Sequence, residues 1–124
     1  MQRYFLTFAA LSGFITVALG AFAAHALKHQ LSAESLAVFR TGVDYQMFHA
    51  LALLAVGLLL NQQGETKLLK LSGCAFISGT VLFSGSLYAL ALGAPHAMGI
   101  ITPLGGLGFL TGWLALTVSA WRSR

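Results

Sequence analysis

Few side chains in this 124-residue sequence can take part in chemistry, and four of them are histidines. His25 and His29 are four residues apart, so on a helix they would face the same side, as in a two-histidine metal site. A zinc ion needs a third and usually a fourth ligand, and no cysteine or glutamate completes a recognised motif around this pair. We therefore predict no metal site and no bound cofactor.

Residues suited to covalent or phosphate chemistry are equally sparse. The sequence contains no nucleophile elbow, no phosphate-binding loop and no dinucleotide-binding fingerprint. Ser84 and Ser86 lie inside an apolar run and lack the strand–turn–helix setting of a catalytic serine. Cys74, the only cysteine, lies in the same run and is predicted to be a packing residue. We predict that the protein has no catalytic residues and is not an enzyme.

Four long apolar stretches, at residues 4–24, 43–60, 68–92 and 102–121, must position these side chains. Each is close to the roughly 20 residues with which a helix crosses a bilayer, and longer than the roughly 7–15 apolar residues of a signal peptide, so we expect the first to be retained. Only 8% of the residues are charged, against about 25% in a soluble domain. We predict an all-α polytopic membrane protein with a single domain over residues 1–124.

The connections between the stretches are short, which favours an antiparallel four-helix bundle. The longest, Leu31–Gly42, is too polar to span, and Ser32 is a suitable cap for a helix with Glu34 in its first turn. We predict a short helix along the outer surface between the first two spans, or alternatively a helix that continues directly into the second span. Thr102 is predicted to cap the fourth helix, with Pro103 in its first position.

Basic residues predict the orientation, because Lys and Arg are enriched in cytoplasmic loops. One side of the predicted spans carries Arg3, Lys67, Lys70, Arg122 and Arg124, and the other carries Lys28 and Arg40. Both termini are therefore predicted to be cytoplasmic, with membrane lipid around the spans. The basic residues form no stripe for nucleic acid, so no nucleic-acid partner is expected.

Small residues recur at helical spacing and predict how the helices meet. Lipid tails are as apolar as leucine, so membrane helices associate through the close packing that small residues permit. The last stretch is the clearest case, with small residues three or four positions apart. The predicted packing positions are Gly20, Gly85, Gly105, Gly108 and Gly112. We predict packing within the bundle, with contact between two copies of the chain as the alternative.

Polar residues concentrate at one depth, in the half of the bundle predicted to lie away from the cytoplasm. All four stretches contribute to this polar cluster: His25, Asp44, Tyr45, Gln46, His49, Ser84, Ser86, Tyr88 and Thr102. Arg40 and Asp44 are predicted to form an i,i+4 ion pair at the interface. His49 lies deeper and is expected to bond to a hydroxyl of the third stretch, on Ser84, Ser86 or Tyr88. The pattern fits either a satisfied core histidine or a proton or ligand site.

Several motifs, taken in order, resemble one known family. They are Gly20–His25, Tyr45–His49, Leu82–Tyr88, Thr102–Gly106 and Gly112-Trp113. Together they resemble the bacterial membrane family known as domain of unknown function 423, which is similar to the eukaryotic transmembrane protein 256 group. Ala23 departs from the family, in which glycine is frequent at this position. The resemblance implies a bacterial inner-membrane protein with about four spans, and it implies no particular activity.

Two hypotheses of function follow from these features. In the first, the chain is a non-catalytic packing and interaction module, an accessory subunit or a homo-oligomer that binds another membrane protein or its own copy. In the second, a polar pocket in the outer half binds or conducts a small ligand, a proton or an ion. The hypotheses differ in whether Asp44 and His49 point into a shared wet cavity or into closed contacts.

Overall fold

Four helical spans make up the fold, in a computed structural model that describes residues 1–123. The first two are α1 (Gln2–His25) and α2 (Ala33–Gln63). The third span, Lys67–Ala91, comprises α3 (Lys67–Gly79), the π-helical turn Thr80–Ser84 and α4 (Gly85–Ala91). The fourth is α5 (Ile101–Arg122), and the described residues contain no β-strand. Arg124, counted above for the orientation, lies outside the described residues.

All four spans are long and apolar enough to cross a membrane, which confirms the predicted fold class. The spans are antiparallel, since Leu6 near the start of α1 meets Gly57 near the end of α2, and Phe76 of α3 meets Gly112 of α5. α1 packs mainly on α2, and α5 packs mainly on the third span. α2 and the third span therefore form the centre of the bundle, and α1 and α5 flank them.

Two apolar clusters fill the interior. The larger one surrounds Phe5, Val56 and Phe76, toward the end of the bundle at which the chain begins. The smaller one contains Leu27 and Phe39, toward the opposite end. Along α2, the polar residues of the predicted cluster fall between these two apolar layers, so the helix that carries them is fixed by packing above and below.

α2 is longer than predicted. It begins at Ala33 and continues for 31 residues, so no separate surface helix lies between the first two spans, and the alternative of direct continuation is correct. Ser32 caps α2 as predicted, because its hydroxyl accepts a hydrogen bond of 3.1 Å from a backbone N–H one turn later. Only the short 3₁₀ turn Leu27–His29 precedes this cap. Phe39 is buried in the smaller cluster, so the segment Leu31–Gly42 has one apolar face in spite of its polar composition.

α5 begins differently from the prediction. The 3₁₀ turn His96–Ile100 leads directly into Ile101, whose backbone N–H donates to the Met98 carbonyl oxygen, and no side chain caps the helix. Thr102 is therefore inside the first turn and does not cap it. Gly93, with a φ of 103°, makes the reversal after the third span, a conformation that favours glycine.

The glycines of α5 let it approach the third span at backbone distance. A Cβ atom added at Gly105 would meet the backbone of Phe83, and one at Gly112 would lie 2.5 Å from the Phe76 ring. At Gly108, the added atom would lie 3.3 Å from backbone atoms of α3. These three residues pack inside the bundle, so their groove is not available to a second copy of the chain.

The other two predicted packing glycines behave differently. A Cβ atom at Gly20 would make an ordinary contact of 3.6 Å with Val43, and one at Gly85 would meet nothing within 4 Å. Gly85 therefore makes no close contact within the bundle, in contrast to the predicted packing there. Close approach occurs instead at glycines that the small-residue pattern missed: Gly42, Gly57, Gly73 and Gly79.

Two ion pairs that share the Glu65 carboxylate lie at the end of the bundle at which the chain begins. The Glu65 carboxylate lies 2.8 Å from Lys70 Nζ and 3.0 Å from the ammonium group of Met1. These hydrogen bonds, first that of Lys70 and then that of the N-terminus, hold the pKa of Glu65 below its ordinary value of 4.5. The carboxylate is exposed to solvent, so salt weakens the interaction.

Gly105→Ala is expected to destabilise the purified protein by about 1–3 kcal/mol, because the new methyl group must displace the backbone of Phe83. Gly106→Ala is the matched control: it faces open space, and alanine favours a helix over glycine by about 1 kcal/mol at most, so stability should stay the same or rise. Thermal unfolding in detergent measures both. Equal melting temperatures for the two variants would contradict the backbone contact at Gly105.

Glu65→Gln is expected to lower the melting temperature near neutral pH and to have no effect in acid. A carboxylate with a depressed folded-state pKa stabilises the folded protein above its unfolded pKa, and this contribution is lost as the pH falls through the folded pKa. Because the pKa of Glu65 is lowered from 4.5, the difference between wild type and variant should shrink as the pH falls below that value. A difference that stayed constant into acid would exclude the charge as its cause.

Candidate functional site

Gln46 connects three helices through both ends of its side-chain amide. It is 6% exposed, and its Nε2 donates to the hydroxyl and the carbonyl oxygen of Ser12 in α1, at 3.1 and 3.2 Å. Its Oε1 accepts a hydrogen bond of 2.6 Å from the Tyr88 hydroxyl in α4. Gln46 and Tyr88, both in the predicted polar cluster, are thus brought together, and Ser12 joins them.

Two serines of the third span bond to the neighbouring spans. Ser84 donates to the carbonyl oxygen of Gly42 in α2 at 2.7 Å. Ser86 donates to the Phe83 carbonyl oxygen at 2.9 Å, so Thr102 is the donor in the 2.6 Å contact between the hydroxyls of Thr102 and Ser86. Bonds of this kind between membrane helices are worth about 0.6–2 kcal/mol each. They attach the third span to α2 on one side and to α5 on the other.

His49 accepts one hydrogen bond and donates another. It is 4% exposed; its Nε2 accepts from the indole Nε1 of Trp113 at 3.0 Å, and its Nδ1 lies 2.7 Å from the carbonyl oxygen of Tyr45. An indole N–H only donates and a carbonyl oxygen only accepts, so the two contacts assign a neutral ring with its proton on Nδ1. The ring also stacks on Phe109, with centroids 3.5 Å apart and planes 9° apart.

The predicted partners of His49 were wrong. The prediction placed the outer end of the second span at Val43, but α2 begins well before that residue. It is Gln46 that lies level with Tyr88. His49 is almost one helical turn deeper, at the level of Trp113.

Trp113, like Ser12, is a residue of this site that the predicted polar cluster did not include. An indole N–H inside a bilayer has no water to bond with and needs an acceptor in the protein. His49 is the one histidine in the middle of a span, and its ring nitrogen is such an acceptor. Matching the donor-only side chain to this acceptor would have identified the pair.

Three members of the predicted cluster lie on the surface. His25 and Asp44 are exposed, and Tyr45 is 40% exposed, with its ring packed on Phe83 at a centroid distance of 4.7 Å. Within residues 1–123, Arg40 and Asp44 do not form the predicted ion pair. His25 and Asp44 are not part of a shared site with His49, whereas the Tyr45 ring is stacked beside it at a centroid distance of 6.2 Å.

Cys74 is also exposed, contrary to the prediction that it packs in the core. The helix is apolar on its outer side as well, because that side faces lipid, and hydrophobicity alone does not separate the two sides. Over residues 1–123, no three His, Cys, Asp or Glu side chains come together as a metal site would require.

The buried polar side chains form closed contacts rather than a wet cavity. Every fully enclosed side-chain nitrogen and oxygen among residues 1–123 has a hydrogen-bond partner. His49 points into an aromatic stack and Asp44 points outward, so the two do not share a space. Chemically, the arrangement holds helices together and leaves no free acid–base pair at its centre.

The sequence of this bundle is similar to that of known membrane proteins. Residues 19–106 match the family described as protein of unknown function, DUF423. The chain belongs to the DUF423 family. The matched region contains Gln46, His49, Ser84, Ser86 and Tyr88, so most of the hydrogen-bonded polar residues lie within it.

Relatives of the DUF423 chain match over nearly their full length. A UPF0382 membrane protein of Haemophilus influenzae is 48% identical over 124 residues, which are 100% of this chain and 98% of the relative. The UPF0382 inner membrane protein YgdD of Escherichia coli K12 is 46% identical over 122 residues, 98% of this chain and 92% of the relative. The UPF0382 membrane protein YwdK of Bacillus subtilis is 38% identical over 119 residues, 96% and 97% of the two chains. No solved structure matches.

A double-mutant cycle tests the bond between His49 and Trp113. Trp113→Phe leaves the His49 Nε2 without a donor, and His49→Leu leaves the indole N–H without an acceptor, so each should destabilise the protein by about 1–3 kcal/mol. The double variant should lose about 0.5–3 kcal/mol less than the sum. Trp121→Phe, at an exposed position, is the control and should have little effect. Additive losses for His49 and Trp113, measured by unfolding in detergent, would exclude the bond.

Proposed function

We propose that this DUF423 protein is a non-catalytic packing and interaction module of the bacterial inner membrane, with both termini in the cytoplasm. The observation that carries the proposal is the closed state of its polar core. Gln46 uses both ends of its amide for contacts between spans, and His49 bonds to α5 through Nε2 and to the Tyr45 carbonyl oxygen of its own helix through Nδ1. A protein that carried out acid–base chemistry or proton transfer at these residues would need at least one of them free.

The proposed partner is a transmembrane helix of another inner-membrane protein. The chain exposes little mass outside the membrane: Gly64–Thr66 separates two spans, and the other connections are short turns. A soluble partner would therefore find little surface to bind. Recognition must come mainly from the lipid-facing sides of the spans.

One recess on those sides is an α2–α5 groove of about 740 Å³. Its lining includes Phe48, Gly106, Leu107, Leu110 and Trp113. A Cβ atom added at Gly106 would meet nothing within 4 Å, so the groove exposes helix backbone at this point. Exposed backbone beside large apolar side chains suits the close approach of another helix, since membrane helices associate by packing at small residues.

A photo-crosslinking residue in place of Leu107, at the centre of the groove, is expected to yield a discrete crosslinked product in native membranes. The same residue in place of Phe14, on the exposed face of α1, is the control and should crosslink only to lipid. Gly106→Leu fills the groove without an internal clash and should abolish the Leu107 product while the protein stays folded.

The size of the product identifies the partner. A product that contains two differently tagged copies of the chain would show a homo-oligomer instead of a second protein. Equal products from Leu107 and Phe14, or a product that survives Gly106→Leu, would contradict a docking groove.

The proposed orientation rests on the basic residues at the end of the bundle where the chain begins. Arg3, Lys67 and Lys70 lie at this end, together with Arg122. A green fluorescent protein fused after Arg124 is expected to fluoresce, and alkaline phosphatase at the same point to be inactive, since each is active on one side of the membrane only. Phosphatase inserted after Pro95, in the opposite connection, should be active. The reverse pattern would overturn the orientation and leave the docking groove untouched.

A further inference from the structure

A cleft of about 330 Å³ lies on the other flank of the bundle, between α1, α2 and the third span. Its walls are mainly apolar and include Leu11, Ile15 and Val81, which are exposed and form a mouth toward the surrounding lipid. Gln46 and Thr80 lie on its inner side. The volume is within the range of about 300–1,000 Å³ that small-molecule sites occupy.

Thr80 supplies an unused hydroxyl to this cleft. The residue is 9% exposed, and its hydroxyl has no hydrogen-bond partner among residues 1–123. Since none of the fully enclosed side-chain oxygens among them lacks a partner, the Thr80 hydroxyl is accessible from the cleft. By contrast, Thr16, Thr111 and Thr117 each donate to the carbonyl oxygen four residues earlier, at 2.8 Å.

Thr80 is also the first residue of the π-helical turn Thr80–Ser84. At the junction, the Thr80 backbone N–H bonds to the carbonyl oxygens of both Phe76 and Ile77. Single π turns inside α-helices occur frequently at functional sites.

Gly85 keeps the cleft open. It lines the cleft, and a Cβ atom at this position would meet nothing within 4 Å. Glycine disfavours a helix, and here no neighbouring backbone or side chain requires its small size. The residue therefore leaves space that a larger side chain would fill.

We propose that this cleft binds an uncharged, membrane-soluble molecule with an apolar body and one hydrogen-bonding oxygen, which meets the Thr80 hydroxyl. The lining contains no charged side chain, so a charged group would be unpaired there. The other polar groups of the lining are already bonded: Ser12 to Gln46, Gln46 to Tyr88, and Ser84 to Gly42. Thr80 is the polar side chain of the lining that takes part in none of these bonds, and we assign the ligand's oxygen to it.

A diazirine analogue of 1-octanol, used with the protein in lipid nanodiscs, tests this site. Peptide mapping by mass spectrometry should place saturable labelling on the cleft walls, around Ile15 and Val81. Unlabelled 1-decanol should compete, and decane should compete far less, because it lacks the oxygen. Equal competition by decane would show that a bare acyl chain fills the cleft and would overturn the role of the hydroxyl.

Three substitutions complete the test. Thr80→Val removes the hydroxyl at nearly constant shape and should weaken octanol binding about five- to tenfold, the effect of one lost hydrogen bond. Thr80→Ser keeps the hydroxyl and should restore binding. Thr111→Val, on the exposed face of α5, is the matched control and should bind like the wild type.

Gly85→Leu tests the space itself. It should abolish saturable labelling while the melting temperature stays at or above that of the wild type, because the new side chain enters empty space. Labelling that is spread evenly over the lipid-facing surface, or that is unchanged in both Thr80→Val and Gly85→Leu, would overturn the proposal.

Discussion

The interior of this bundle has no water to satisfy its polar groups, and this constraint determines how the spans are arranged. An unpaired backbone or side-chain polar group in hydrocarbon costs several kcal/mol. Gln46 accordingly bonds to Ser12 in α1 and to Tyr88 in α4, and His49 bonds to Trp113 in α5. Because each contact links two helices, sliding one helix by a single turn would leave both partners unpaired. The polar bonds thus fix the register that apolar packing alone leaves variable.

Glycine makes several of these bonds possible. Ser72 of α3 donates to the carbonyl oxygen of Gly112 at 2.9 Å, and Ser84 donates to that of Gly42 at 2.7 Å. Helix carbonyl oxygens are ordinarily covered by the side chains around them. Where the acceptor is glycine, the backbones come close enough for a short hydroxyl to reach across. The glycine and the serine therefore depend on each other, and neither is only a space filler.

The architecture could be predicted from the sequence because it depends on long-range composition. Four apolar stretches with so few charges have only one stable environment, and short connections allow only antiparallel neighbours. The predicted third stretch, residues 68–92, also ends next to the observed end of the span at Ala91, and Gly93 supplies the positive φ of the turn that follows.

The details of the site could not be predicted in this way. Gly105 and Gly85 belong to the same small-residue pattern, yet one touches backbone and the other faces empty space. The difference depends on the rotation of each helix, which the apolar sequence does not encode because lipid and core are equally apolar. The partner of His49 depended on the true start of α2, and the π turn at Thr80 has no residue signature of its own.

The third span packs more tightly against α5 than against α1. Toward α5, its glycines and the aromatic stack around His49 leave no gap between the spans, and the groove lies outside them. Toward α1, the π turn begins at Thr80, whose hydroxyl faces the cleft, and it is followed by Gly85, which has open space beside it. Phe83 belongs to the same turn and lines the α2–α5 groove. This turn therefore contributes side chains to both recesses, as α2 does through Gln46 and Phe48, and the hydrogen bonds of Ser84 and Ser86 hold it against the neighbouring spans.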